Sequence, residues 1–552
     1  MSLDPTKLDK YLYIRRTPTW RIRALYSAGI LTWLLVMCGY AYAVAAEPFY
    51  KFFVAPLLGF ISVYYLSSYL LNLFYKQPSL ALHVAQQDSY WQKHEEPAID
   101  VFLPICGEDI VILENTWKHV ARLDYQNYRV YVLDDSKEGG QAHAALARSF
   151  GFTYLSRENK GEMKKAGNLL FGFRQTGGEF IAIFDADFAP HPDFLKELLP
   201  YTADPKVGIV QSPQYFEATK EVHRRSPLEY GAAYVQEDFY RIIQVARDRL
   251  GGALCCGSNA LYRRAALDAI GGPLQVRYSE DSRTGIALVN EGWTVRYVPI
   301  ILALGLCPSD PYAYFHQQHR WCSGSMELLT TGKEFWAARM PLKARICYVS
   351  GFLYYLHHPL ALLLTFQLFY ALFFFNDEIL LAGLWPFLPY IVYSFILLPL
   401  NHISRLRRGS FLTSTLQFYA YTHAVTIVVL LRRSVGWIPA NAKQALYSRA
   451  YVQATLTVAA YLLLNLDLVA LASRLHLIHI FNYNYYSVQF WIFWDIAFTS
   501  VLLFQMFKIM KRMQQERIVV GEGGHSLKAW ELQTAGMFLL VLLGSFFVIL
   551  YV

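Results

Sequence analysis

"EFIAIFDADF", residues 179–188, decides how this chain folds. Phe180 to Phe184 read as a buried strand, and Asp185-Ala186-Asp187 closes it. Alternation along a strand points both carboxylates towards the same side. Three stretches upstream have related character: "AIDVFLPICGED" (98–109), "YRVYVLDDS" (128–136) and "FTYLSREN" (152–159). Helical stretches separate them, and strands alternating with helices predict a mostly parallel sheet. In such sheets ligands bind beyond the carboxyl ends of the strands. Asp135, Asp185 and Asp187 sit there.

Two carboxylates beside a diphosphate suit Mg²⁺ or Mn²⁺, because a hard cation bridges carboxylate and phosphate oxygens. A lone D-x-D is usually a solvated pair; after "IAIF", and downstream of Asp134-Asp135, it carries more weight. "EMKKAGNLL" (162–170) offers Lys164 and Lys165 at the start of a helix, where a lysine and the helix N-terminus can meet a phosphate together. "LCCGSNALYRR" (254–264) sets Gly257 and Ser258 between two apolar stretches, as in a tight turn. "RYSEDSRTGIAL" (277–288) opens a helix-like run with Glu280-Asp281. Acidic residues there are commonly helix caps, and the chemical alternative is a base aimed at an acceptor hydroxyl.

Only 17% of the 552 residues are charged and 55% are hydrophobic, against about 25% charged in soluble proteins. This composition predicts a membrane protein with a soluble part. Apolar runs long enough to span occur at 24–46, 52–75, 346–376, 379–404 and 532–552, and two more, 450–473 and 481–507, carry Asp467 and Asp495. Residues 77–345 contain no such run and form the soluble domain. The first run is too long for a cleavable signal peptide. Basic clusters at 7–23, 405–408, 432–449 and 508–517 place those segments in the cytoplasm and against lipid headgroups, with no call for nucleic acid. The seven cysteines lack paired metal spacing and read as reduced and cytoplasmic. Segment 411–431 is apolar but flanked by basic clusters on both sides, so it is expected to lie in the interface. About seven spans remain, each of roughly 20 residues.

Just before the second group of spans stands "YFHQQHRWCSGS" (314–325), with Gln317-x-x-Arg320-Trp321. On a helix these three residues share one side. An indole face covers the apolar face of a sugar ring and tolerates sliding. The bland alternative is a tryptophan anchored at the membrane interface.

In order, Glu108 of "PICGED", Asp135 of "LDDS", Lys165 of "KKAGN", Asp185 and Asp187 of "DAD", "VQSPQYF" (210–216), "CCGSNA" (255–260), Glu280-Asp281 of "SED" and Gln317-x-x-Arg320-Trp321 resemble the processive family-2 glycosyltransferases. These are the cellulose, chitin, hyaluronan and related β-glycan synthases, and the resemblance runs from about Asp100 to Lys443. It implies a cytoplasmic GT-A domain, α/β in class, inserted between membrane helices. The divisions are 1–76 (tail and two spans), 77–345 (GT-A domain) and 346–552 (membrane region, with interfacial helix 411–431 and gating loop 432–449). It implies a UDP-sugar donor, a growing polysaccharide acceptor and Mg²⁺ or Mn²⁺. Glu108 and Asp135 would bind uridine, Lys165 the diphosphate, Asp185 the nucleotide and Asp187 the metal. Glu280 and Asp281 would be catalytic, Asp281 as general base. Cys256, Gly257 and Ser258 would line the donor and acceptor sites with Gln317, Arg320 and Trp321.

"SVGWIPANAKQ" (434–444) is a looser form of the family's gating loop, with Trp437, Pro439 and Lys443 but no threonine. About 24 residues separate the last two runs, too few for the cyclic-dinucleotide-binding barrel that bacterial cellulose synthases append. The "SED" form tilts the expected sugar towards glucose. Hyaluronan- or chitin-type synthesis, transfer to a lipid carrier, and an inactive transporter are the alternatives. Multi-pass residence in the cell membrane follows from the same resemblance.

Overall fold

The computed structural model describes residues 3–137, 139–216, 227–276, 278–308, 311–336, 339–374, 386, 388–403, 409–433 and 449–474, and isolated positions between 496 and 506. Trp437 and Lys443 of the expected gating loop lie outside them, as do the expected span 532–552 and most of 481–507.

β1 (Ile99–Ile105), β2 (Tyr128–Asp134), β3 (Thr153–Ser156) and β4 (Phe180–Ile183) form where the sequence reading put them. With β6 (Val207–Gln211), β8 (Ala260–Arg263) and β9 (Thr294–Tyr297) they make a seven-stranded sheet ordered β3-β2-β1-β4-β8-β6-β9. The winding proceeds from β1 through β2 to β3, then crosses to β4 on the other side of β1. A crevice opens at such a reversal, beyond the carboxyl ends of the strands. Every residue of β1 and β4 is buried, as expected of strands covered on both faces. A smaller sheet joins β5 (Phe188–Pro190), β10 (Ala303–Gly305) and β7 (Tyr215–Phe216).

The sheet is mostly parallel, as expected, except that β8 runs antiparallel to both β4 and β6. This reversal brings the start of β8 beside the end of β4, where Ala260 pairs with Ile183. The segment that precedes β8 therefore reaches the crevice. One expectation needs correction: strand alternation does not aim Asp185 and Asp187, since β4 ends at Ile183 and both aspartates occupy the turn into β5. The hydroxyl of Thr116 donates to the Ala186 carbonyl (2.8 Å) and fixes that turn.

Helix Ile110–Val120 shows how the covering layer is encoded. The Asp109 carboxylate accepts the Val111 N–H (3.0 Å) and caps the helix, while Leu113, Trp117 and Val120 recur at helical spacing and are fully buried. They pack with Phe184, Phe194 and Leu198 on one face of the sheet. The core on the other face runs without a break into the apolar helices, joining Leu133, Ile209 and Tyr240 to Tyr26, Tyr69 and Tyr421.

Among the described residues, three helices are long and apolar enough to cross a membrane: Thr19–Ala45, Tyr50–Asn72 and Leu342–Leu364. Helix Arg449–Arg474 covers a further expected span, and helical pieces between Leu388 and Asn401 cover part of another. Gly409–Val425, continued by Thr426–Leu430, packs against Pro227–Asp238 and Pro311–Thr331, two helices of the α/β domain.

Several bonds tie the segment before the first long helix to the domain, and one carboxylate gathers two of them. Glu197, 7% exposed, accepts from Lys10 Nζ (2.6 Å), Tyr11 OH (3.0 Å) and the His83 ring. Burial opposes its ionisation, but the bonds from His83 and Lys10 outweigh it and bring the carboxyl down to about 2. A lowered folded pKa stabilises above the unfolded value of about 4.3 and loses that contribution as pH falls towards 2. We expect Glu197→Gln to cost up to about 3 kcal/mol at pH 7 and little at pH 2. Denaturant titrations in detergent at both pH values check this, and an equal loss at both would reject the tether.

Candidate active site

Three loops meet beyond the carboxyl ends of β1, β2 and β4, and each is built on strained backbone. Met163 (φ 50°) and Lys164 (φ 51°) precede Lys165, Asn259 (φ 54°) follows Ser258, and Ser279 (φ 51°) precedes Glu280. Left-handed backbone at residues other than glycine is costly and persists where the surroundings over-determine it.

Helix Lys164–Gln175 starts at the lysine pair, as its sequence suggested. Lys165 Nζ is ion-paired with Asp185, donates to the Gly257 carbonyl (3.2 Å) and lies 4.0 Å from Glu280. Ser258 Oγ accepts the Asp185 N–H (2.9 Å). Gly257 has φ +74°, and a Cβ there would lie 2.7 Å from the Asp281 Cβ. The glycine therefore allows the start of helix Glu280–Asn290 to close on the loop before β8. On the other side, Gly324 lets helix Pro311–Thr331 approach Ser279.

A cavity of about 620 Å³ gathers Glu108, Asp135, Lys165, Asp185, Asp187, Cys256, Glu280, Asp281, Gln317, Arg320 and Trp321 on its walls. Gly257 and Ser258 stand behind it as the support just described. Gln317, Arg320 and Trp321 are half-buried on one side of their helix, whereas Gln318, His319 and Cys322 are buried on the other. Gln318 Oε1 accepts from Gln417 (3.0 Å) and Tyr421 OH (2.6 Å) of helix Gly409–Val425, which fixes the rotation of the motif helix.

Carboxylates crowd this cavity. Burial first, then Asp185 and Glu108, raise Asp187 to about 7. Burial first, then Glu280, raise Asp281 to about 7 in spite of Lys165. Burial raises Glu108 although its Oε2 accepts the Cys106 N–H (2.5 Å). Burial lowers Arg320, while the charges of Glu280, Asp185, Asp187 and Asp281 support it. Among the described residues no three His, Cys, Asp or Glu side chains form a closed metal cage. An ion at Asp187 and Asp185 would complete its shell with ligand oxygens, and the raised Asp187 carboxyl fits a site that a cation completes.

Asp135 lines the cavity and is also held within the protein. Both its oxygens engage Arg157 (2.8 and 3.0 Å), and Oδ1 also accepts the Gly161 N–H (3.0 Å). Arg157 in turn donates to the Glu162 carbonyl (2.6 Å), so the pair shapes the loop that delivers Lys165. Sequence reasoning missed Arg157, since nothing in "LSREN" separates it from a surface arginine. It also gave no role to Gln211, Gln214 and Gln244. Gln211 accepts the Cys256 N–H (3.0 Å), Gln214 donates to the Cys256 carbonyl (3.0 Å) and Gln244 accepts the Leu254 N–H (3.0 Å). Two of these glutamines lie in "VQSPQYF", so that stretch carried the signal without its meaning.

Gly257→Ala combines left-handed strain with a close approach to Asp281. We expect a loss of at least about 1–2 kcal/mol, read as a lower unfolding midpoint, and an unchanged midpoint would show that the loop yields freely.

Residues 100–271 match the family described as Glycosyl transferase family 2. The chain is 28% identical over 391 residues to Cellulose synthase 1 of Komagataeibacter xylinus, covering 69% of this chain and 25% of that protein. It is 29% identical over 380 residues to a cellulose synthase catalytic subunit (UDP-forming) of Pseudomonas fluorescens, covering 68% and 48%. The chain thus spans about half the length, or less, of these curated relatives. Among solved structures it resembles a mannosyltransferase of Pyrobaculum calidifontis in complex with GDP-Man and Mn²⁺, at 18% identity, with 68% of this chain and 99% of that one covered and a TM-score of 0.45. The expected α/β class is borne out: residues 100–271, which resemble a family 2 glycosyltransferase domain, lie in a sheet-and-helix domain packed against apolar helices long enough to cross a membrane.

Proposed function

We propose that this protein is a membrane-embedded, inverting, processive synthase that polymerises a UDP-sugar, UDP-glucose foremost, into a β-linked glucan and passes it across the membrane. One observation carries the reading. The cavity that holds the carboxylates at one end continues past Trp321 to Tyr64, Tyr354 and Tyr355 on the apolar helices and to Tyr421. A soluble transferase has no need of such continuity, and transfer to a lipid carrier has no need of a platform for a chain. The similarity to cellulose synthases supports the same reading.

In this mechanism the donor lies along Glu108, Asp185 and Lys165. Asp281 takes the proton of an acceptor hydroxyl as that oxygen attacks the anomeric carbon with inversion, and UDP departs. Lys165 and Arg320 offer fixed cationic donors towards the developing phosphate charge. Asp187, with Asp185, would hold Mg²⁺ or Mn²⁺, which supplies charge neutralisation of the diphosphate when bound. Trp321 presents its face to the terminal sugar of the chain, with Gln317 beside it. Asp135 acts through Arg157 on the lysine loop as well as lining the donor end. Helix 411–431 lies in the interface and stays on the cytoplasmic side.

Labelled UDP-glucose given to the purified protein in lipid tests the reading. Long glycan supports it, whereas a lipid-linked monosaccharide, or no turnover of any UDP-sugar, rejects it. Asp281→Asn should lower turnover by at least about 10²-fold with UDP binding retained. An Asp281 carboxyl near 7 must lose its proton to act as base, so turnover should fall as pH drops below about 7. A flat profile from pH 6 to 8 would remove Asp281 from that role. Trp321→Ala should abolish polymer while folding and UDP binding survive, and Trp321→Phe should recover part of it. Polymer at normal rate from Trp321→Ala would leave the indole as a membrane anchor.

A further inference from the structure

Arg247, on helix Gln244–Arg249, lines the cavity away from the catalytic carboxylates and is only 8% exposed. Its guanidinium makes no hydrogen bond or ion pair among the described residues. The groups that act on its charge are Cys347, Tyr348, Tyr355 and Tyr64, with no carboxylate among them. Asp248, its neighbour in sequence, is turned to Arg296 (3.2 Å) and to the Tyr297 N–H (2.8 Å). Gly351 faces the guanidinium from helix Leu342–Phe374: a Cβ there would lie 3.7 Å from Nη2. Arg247 thus reaches from the glycosyltransferase domain to the point where the cavity meets the apolar helices.

A guanidinium that faces an open cavity, with no partner among the described residues, keeps its donors for whatever fills that cavity. We propose that its partner is the growing chain: Arg247 binds the hydroxyl and ring oxygens of a neutral glycan leaving the active site. This rests on the polymerase reading above. Five donors in a plane meet several sugar oxygens at once, and tyrosines on both sides offer faces to the ring. A carboxylated sugar is disfavoured. An ion pair at Arg247 would hold the chain where it must slide.

Arg247→Met and Arg247→Gln, compared with wild type in lipid, test the proposal. The probes are labelled UDP-glucose and a short neutral β-glucan oligosaccharide. Loss of a charge-assisted bond to the acceptor predicts a KM for the oligosaccharide raised about 10- to 100-fold, with shorter products. UDP binding, slow hydrolysis of the donor by water, and the unfolding midpoint should be unchanged, because no protein group loses a partner. An unchanged acceptor KM and product length would overturn the proposal. So would a lowered midpoint with normal polymer from the surviving protein, which marks a structural arginine. A wild type that polymerises only a carboxylated sugar overturns the neutral-chain assignment while the polymerase reading stands. No turnover by wild type would instead reject that reading, and this inference with it.

Discussion

Lys165 is the charge on which the site depends. Its ammonium touches Asp185 from the turn after β4 and the Gly257 carbonyl from the loop before β8, and it faces Glu280 at the start of a third element. Without a cation there, Asp185, Glu280 and Asp281 would repel one another or take up protons. With it, the turn, the loop and the helix start are held within one cluster. Burial, with the neighbouring carboxylates behind it, still holds Asp187 and Asp281 above the usual carboxylate range.

The backbone makes the same point. Lys165, Ser258 and Glu280 each stand next to a non-glycine residue in left-handed conformation. Strain at three separate loops, all facing one cavity, needs rigid surroundings to hold it. These come from bonds with no chemical role of their own: Arg157 on the lysine loop, Gln211, Gln214 and Gln244 around Cys256, and Thr116 under the aspartate turn. Each spends at least one bond on a backbone group, and Arg157 also holds Asp135, so each fixes position.

The domain and the apolar helices share one core and one cavity. Helix Pro311–Thr331 turns one side to the cavity and the other to helix Gly409–Val425, with Gln318 bonded across. The position of Trp321 is thus set by a helix that lies more than eighty residues further along the chain.

Much of this was legible in the chain alone. Apolar runs of spanning length, four strands ending in polar residues, and the ordered motifs from Glu108 to Trp321 define class and site, because local hydrophobic pattern and residue chemistry are written in the primary structure. The three-residue spacing of Gln317 and Arg320 foretold a shared side, since helix geometry is local. Tertiary structure alone decided the rest. It reversed β8 so that Gly257 meets Asp281, moved the aspartates from strand to turn, and engaged Asp135 with Arg157. It also left Arg247 buried with no acid beside it among the described residues. Each of these depends on which distant segments pack together, and a side chain's charge partner or its lack of one exists only once they do.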